Sequence, residues 1–197
     1  MQKKQIIKTI ALTCALACLA TPAFGMRRVR VNRQAVARLT EAVGNEPNAR
    51  DANGITALHR AVSTRNVQDI QILLGILRAS ANVQDKSGTT PLHVAMLVED
   101  DEIVETLLAH DADVNTTTAD GTTPIHLAAA GGYTNAMTML LDAVKIDLEP
   151  INNVGMSALS ASTLTEPRRI SELQTRLLLE DGASIQQGDT HAHSWCQ

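Results

Sequence analysis

Apolar and polar positions along this chain fall into one pattern that recurs at an almost constant interval. Leu58 leads to Ala61 and Val62, Leu92 to Ala95 and Met96, and Ile125 to Ala128 and Ala129. A polar break follows each group, then a second apolar stripe such as Val67, Ile70, Leu73 and Leu74, spaced i, i+3, i+6, i+7. That spacing puts apolar side chains on one face of a helix. Each copy closes on a leucine pair: Leu73-Leu74, Leu107-Leu108, Leu140-Leu141 and Leu178-Leu179. The pattern predicts helix pairs at 56–64 and 67–78, 90–98 and 101–109, 123–131 and 134–143, and 157–164 and 167–181.

The punctuation between the stripes repeats as well. Gly54, Gly88, Gly121 and Gly155 are separated by 34, 33 and 34 residues. At a turn tip glycine removes the steric cost of a left-handed backbone. Two residues on come Thr56-Ala57-Leu58-His59, Thr90-Pro91-Leu92-His93 and Thr123-Pro124-Ile125-His126, with a decayed copy at Ser157-Ala158-Leu159-Ser160. Threonine suits a helix N-cap, and proline suits the first helical position, where no N–H donor is needed. Alanine within the stripe lets paired helices approach closely.

These residues resemble the ankyrin-repeat family, whose unit is a β-turn plus two antiparallel helices with a T-P-L-H-x-A signature. Ala112-Asp113-Val114-Asn115 before Asp120-Gly121 is similar to the family's inter-repeat turn, as is Leu177-Leu178-Leu179-Glu180-Asp181-Gly182-Ala183. The resemblance implies an all-α solenoid of about four repeats behind an N-terminal capping half-repeat. The expected division is a signal peptide over 1–25 and a cap over 26–50. Repeats then run over 51–84, 85–117, 118–151 and 152–185, with a disordered tail at 186–197. Two departures stand out. Repeat one carries about three extra residues after Leu74 (Gly75-Ile76-Leu77) and a turn shortened by two. Repeat four lacks the His and gains about four residues around Thr165-Glu166-Pro167.

The start of the chain reads differently. Lys3, Lys4 and Lys8 precede the apolar run from Ile10 to Ala20, and Pro22 and Ala23-Phe24-Gly25 follow. That is the layout of a secretory signal peptide, too short for a comfortable membrane span of roughly 20 residues, with an uncleaved anchor as the alternative. Cleavage after Gly25 is expected to give a periplasmic or secreted protein with no stable membrane insertion. It removes three lysines, taking the formal charge from −4 to −7, and removes Cys14 and Cys18, leaving only Cys196. No internal disulfide is then possible, so packing alone must stabilise the fold. The acidic balance gives no reason to expect nucleic-acid binding. Aromatics are only 2% of the chain, which suits an aliphatic repeat array better than one compact core.

Candidate chemistry is sparse. His59, His93 and His126 recur at one repeat position, about 10 Å apart if repeats stack at helix-packing distance, too far for one metal ion. The resemblance implies a structural role, tying turn to helix. Glu99-Asp100-Asp101-Glu102 lacks the alternation and the glycine of a calcium loop and reads as a solvated turn favouring the next helix N-terminus. His191, His193 and Cys196 are real ligand types but lack a fourth ligand and a supporting shell, so a metal-handling role is the weaker alternative. Arg27, Arg28, Arg30, Arg33 and Arg38 make a basic stretch, read as a solvated cap face, with contact to anionic lipid or an acidic partner as the alternative. No nucleophile elbow, phosphate loop or zinc-protease helix is present, so no enzyme and no cofactor are expected.

The function expected is a non-catalytic, monomeric module that binds a protein partner, regulating or protecting it. An immunity protein against a periplasm-delivered toxin is the sharper variant. By resemblance to the family's variable contact positions, the binding residues are Asn53, Ile55, Ser63 and Thr64 in repeat one. Repeat two offers Ser87, Thr89, Leu97 and Val98, and repeat three Asp120, Thr122, Ala130 and Tyr133. Leu97 and Val98 place apolar groups where a groove is normally polar.

Overall fold

A computed structural model describes residues 33–43, 46–143, 146–148 and 151–162. Eight helices are found there: α1 (Arg33–Val43), α2 (Ala57–Ser63), α3 (Val67–Gln71), α4 (Pro91–Val98), α5 (Asp101–Leu108), α6 (Pro124–Gly131), α7 (Thr134–Leu141) and α8 (Ala158–Ser162). The helix expected over 167–181, the cleavage site, the arginines at 27, 28 and 30, and the His/Cys tail lie outside the described residues. Among those described, no helix is long and apolar enough to cross a membrane.

The local chemistry explains why helices start where they do. Thr56 and Thr90 hold extended backbone, and their hydroxyls accept the N–H of His59 and His93 three residues on. In the decayed fourth copy Ser157 keeps the cap, accepting the Ser160 N–H at 3.2 Å. Second helices are capped by other means: Asn66 accepts from the Asp69 N–H and Asp100 from the Ile103 N–H. The first helices end in left-handed residues at one repeat position, Arg65 (φ 53°), Glu99 (φ 53°) and Gly132 (φ 79°).

Helices of one repeat fold back on each other, α2 on α3, α4 on α5 and α6 on α7. Equivalent helices of neighbouring repeats then stack in two layers, α2–α4–α6–α8 and α3–α5–α7. Residue 33 lies 34 positions before Val67, so α1 is in register with the second layer. The core is the same position used in every copy. Leu58, Leu92, Ile125 and Leu159 are fully buried, as are Leu73, Leu107 and Leu140 in the second layer. Ala95 and Ala128 have no exposed surface, which is how the first helices come so close. Burying such leucines is worth about 1.5–3 kcal/mol each, the main force stacking the units.

The four tip glycines have φ between 77° and 82°, as the turn requires. A Cβ on Gly54 would lie 2.8 Å from the Lys86 backbone nitrogen, and one on Gly88 2.9 Å from that of Ala119. The first three tips therefore press each on the next, and the reason is a backbone ladder. Lys86 N–H donates to the Asn53 carbonyl (3.0 Å), Ala119 to Ser87 (2.8 Å) and Asn153 to Asp120 (2.8 Å).

Repeat one shows where its extra length sits. Gln71 passes into a π-helical turn, Ile72–Ile76, closed by the Leu77 N–H on the Ile72 carbonyl. Ala79 N–H then reaches back six residues to Leu73, whereas Ala112 reaches back five to Leu107. Arg78 and Asp111 share the following left-handed position. The correction to the expected three-residue gain and shortened turn is that one extra residue is absorbed inside the helix, and the turn keeps its length.

The cap arginine Arg38 lies on an exposed face, as expected, and is also tied to the next unit. Its guanidinium grips both oxygens of Asp69 on α3, at 2.8 and 2.7 Å. Arg33 begins the same helix, with Ala35 and Leu39 buried on its inner side.

Candidate partner-binding face

The tips carry the first set of expected contact positions. At the base of each turn one side chain collects the turn's N–H groups. Asp51 accepts from Asn53 and Ile55 (2.8 and 2.9 Å), Asp85 from Ser87 and Thr89 (2.8 and 2.9 Å), and Asn152 from Val154 and Met156 (3.1 and 2.9 Å). In repeat three Thr118 takes this place, accepting from the Thr122 N–H. Those N–H bonds, with the Arg60 guanidinium, hold the Asp51 carboxyl below its usual range. Burial pushes Asp85 upward, but the Ser87 hydroxyl and the turn N–H groups outweigh it. Asp120 is lowered chiefly by the Thr118 hydroxyl.

This wiring sorts the tip residues. Asn53, Ser87 and Asp120 lend backbone carbonyls to the ladder and present exposed side chains. Ile55, Thr89 and Thr122 are half-buried. Thr89 and Thr122 accept from the ring Nε2 of His59 (3.0 Å) and His93 (3.1 Å), while His126 reaches the Met156 carbonyl at 3.1 Å. On the other ring nitrogen, Nδ1 accepts from the backbone N–H of Thr56, Thr90 and Thr123. An N–H can only donate, so Nδ1 is bare and Nε2 carries the proton. Both nitrogens are committed, which leaves these imidazoles no lone pair for a metal. Among the described residues no group of three His, Cys, Asp or Glu could hold one. Burial, acting first, keeps His59 and His93 below the ordinary imidazole pKa despite their carbonyl acceptors.

The first helices supply the second set. Ser63, Leu97 and Ala130 are equivalent and exposed, and Leu97 shows 63% of its surface. Val98 is half-buried against the core, whereas the equivalent Thr64 is exposed and turns its hydroxyl onto the Arg60 carbonyl. Tyr133 is not their counterpart. Register aligns it with Asn66 and Asp100, the capping position before the second helix, and Gly131 with Val98. Its ring nevertheless occupies the neighbouring place, because Gly131 has no side chain: a Cβ there would lie 2.2 Å from the ring. Tyr133 O–H donates to Glu99 at 2.7 Å, which raises the phenol above its ordinary pKa.

Between repeats two and three, at this loop end, lies an open cleft of about 320 Å³. Its floor is Met96, Val104 and Ala136, one wall is Tyr133, and Glu99, Asp100 and Asp101 surround it.

Sequence reading missed two features. Val154 stands at the fourth tip, in register with Asn53, Ser87 and Asp120, and is 74% exposed beside Ile151 at 48%. The interval of the tips would have found it. The second is an asparagine ladder at the other turn. Asn48, Asn82 and Asn115 accept the N–H of Ser80, Asp113 and Asp147, each at 2.8 Å. Their spacings of 34 and 33 were the signal.

This construction defines a stacked helix-pair repeat protein. A family model described as ankyrin repeats in three copies matches residues 29–118 and 101–189, and the chain belongs to that family. The chain is 37% identical over 92 residues to the nuclear factor NF-kappa-B p105 subunit of Gallus gallus, covering 46% of this chain and 9% of that protein. It is 34% identical over 120 residues to the ANK repeat-containing protein nipk-1 of Caenorhabditis elegans, covering 56% and 20%. With neurogenic locus notch homolog protein 1 of Xenopus laevis it shares 35% over 113 residues, covering 57% and 4%. The chain thus spans a fifth or less of these relatives. The ankyrin repeat is a non-catalytic scaffold that mediates protein–protein interaction, and this chain is built on it.

Proposed function

We propose that this chain is an exported protein-binding module whose partner docks on the tips and first helices of repeats two and three. The observation that carries the reading is Leu97. A large apolar side chain 63% exposed, at the position where neighbouring repeats have Ser63 and Ala130, has no role in the fold. Val98 and the Tyr133 ring extend apolar surface beside it. Aromatic side chains often dominate binding energy, and this one is already held in place by Glu99. Export is supported by the lysines, apolar run and small-residue site of residues 1–25. N-terminal sequencing of purified protein should find Met26 first; a chain still starting at Met1 refutes export.

Partner capture tests the face. Leu97→Glu should abolish capture from a periplasmic extract while the protein melts normally. Unchanged capture by the folded variant rules out this face.

A further inference from the structure

We propose that the cleft between repeats two and three is a recognition pocket for an arginine side chain of the protein partner, with Leu97 packing the partner's adjacent apolar residue. This rests on the docking face assigned above and adds the chemistry of what occupies it.

The cleft suits a side chain that is apolar along its stem and charged at its tip. Met96, Val104 and Ala136 give an apolar floor for methylenes, and Tyr133 gives an aromatic face on which a guanidinium stacks. Charge lies around it. Glu99 accepts from Tyr133 through Oε1, Asp100 from the Ile103 N–H through Oδ1, and Asp101 from Asn135 through Oδ2. Each of these bonds engages one oxygen of a two-oxygen carboxylate, so a planar fork of N–H donors has acceptors to meet. Lysine would bind as a point charge; the flat guanidinium can use the aromatic wall together with the second oxygens of neighbouring carboxylates.

Charge over the wider surface favours the same occupant. Residues 79–143 hold ten Asp and Glu against Lys86 alone, so the acids outweigh the Arg65 guanidinium that donates to the Val98 carbonyl at this end. Such a field draws a cationic segment in and repels an acidic one. The exposed Leu97 belongs to the same helix as Met96, so an apolar residue next to the arginine would meet it.

The test uses the full chain and a fluorescein-labelled nonapeptide repeating Arg-Leu-Ala, beside the same peptide with citrulline for arginine. Citrulline keeps the shape and removes the charge. Anisotropy titration should show the arginine peptide binding at least about tenfold tighter. Glu99→Gln with Asp101→Asn, which keep the acceptors for Tyr133 and Asn135, should remove that advantage and leave citrulline binding unchanged. Should the pair melt early, Glu99→Gln alone and a salt series on the wild type replace it: only the arginine peptide should weaken as salt rises. Equal affinity for both peptides overturns the proposal. So does an approximately tenfold gain on deleting residues 26–32, which would make the chain's own arginines the occupant. Partner capture lost with Leu97→Glu but kept with Glu99→Gln and Asp101→Asn would leave the face standing and remove the arginine.

Discussion

His93 Nε2 lies 3.1 Å from the carbonyl of Thr122, so a side chain of repeat two supports the turn of repeat three. His59 does the same for repeat two through Thr89. Both rings must be neutral, because their Nδ1 atoms accept N–H groups. Their folded pKa values lie below the unfolded value of about 6.5. Between the two, the unfolded chain binds protons that the folded chain refuses, so stability falls as pH drops below about 6.5. Melting temperature should be flat above pH 7 and decline towards pH 5. His93→Ser, copying repeat four, should lower the plateau and flatten the decline; an unchanged decline in the variant would remove His93 from the effect.

The single tyrosine of the chain offers a direct readout of the cleft. Its phenol is raised by its bond to Glu99. Gly131→Ala puts a methyl where the ring now sits, so the ring must leave and the bond with it. Absorbance titration should show the phenol returning towards its ordinary value of about 10. A variant titrating like wild type would mean that the ring does not rest on Gly131.

Asn82 joins two repeats at both ends of its amide, accepting from the Asp113 N–H and donating to the Asp111 carbonyl at 2.9 Å. Asn82→Ala should cost about 1–2 kcal/mol in urea unfolding, with Asn82→Asp recovering only the accepted bond. A loss below about 0.3 kcal/mol would show that water replaces the amide fully.

Leu107 is fully buried between stacked second helices. Leu107→Ala should destabilise by about 2–5 kcal/mol, through lost burial and the cavity left behind. A change under about 1 kcal/mol would mean that the layers close over the gap.

Leu97 and Val98 should part company although they are adjacent. Leu97→Glu places charge in water and should shift stability by no more than about 0.5 kcal/mol. Val98→Glu forces charge against packed apolar surface and should cost about 2 kcal/mol or more. Equal thermal shifts would contradict the difference in burial.

Periodic features of this fold were open to sequence reading because each is a local rule applied at a fixed interval. Leu58, Leu92 and Ile125 announced the first helices, and Thr90-Pro91 and Thr123-Pro124 their starts. Among the described residues the observed helices fall within a residue or two of the expected ones, apart from the split at Gln71. What escaped depended on contacts between units. The pairing of Arg38 with Asp69 spans 31 residues and has no periodic echo. Alignment to the family's contact positions put Tyr133 in the groove, whereas its backbone holds the capping place of Asn66 and Asp100 and only its ring, lying over Gly131, reaches there. Exposure at Leu97 and half-burial at Val98 follow from helix rotation, which residue type alone does not set.

The π-helical turn at Ile72–Ile76 protects the rest of the molecule from its own insertion. An added residue in an ordinary helix rotates everything beyond it by about 100°, a third of a turn. In a stacked array that error would travel, swinging every later leucine out of its layer. Here the phase is reset before Ala79, and Asn82 and Gly88 arrive on schedule for the next unit. Length can therefore drift within one unit without its neighbours being rewritten, and a lineage of such chains can test insertions one repeat at a time.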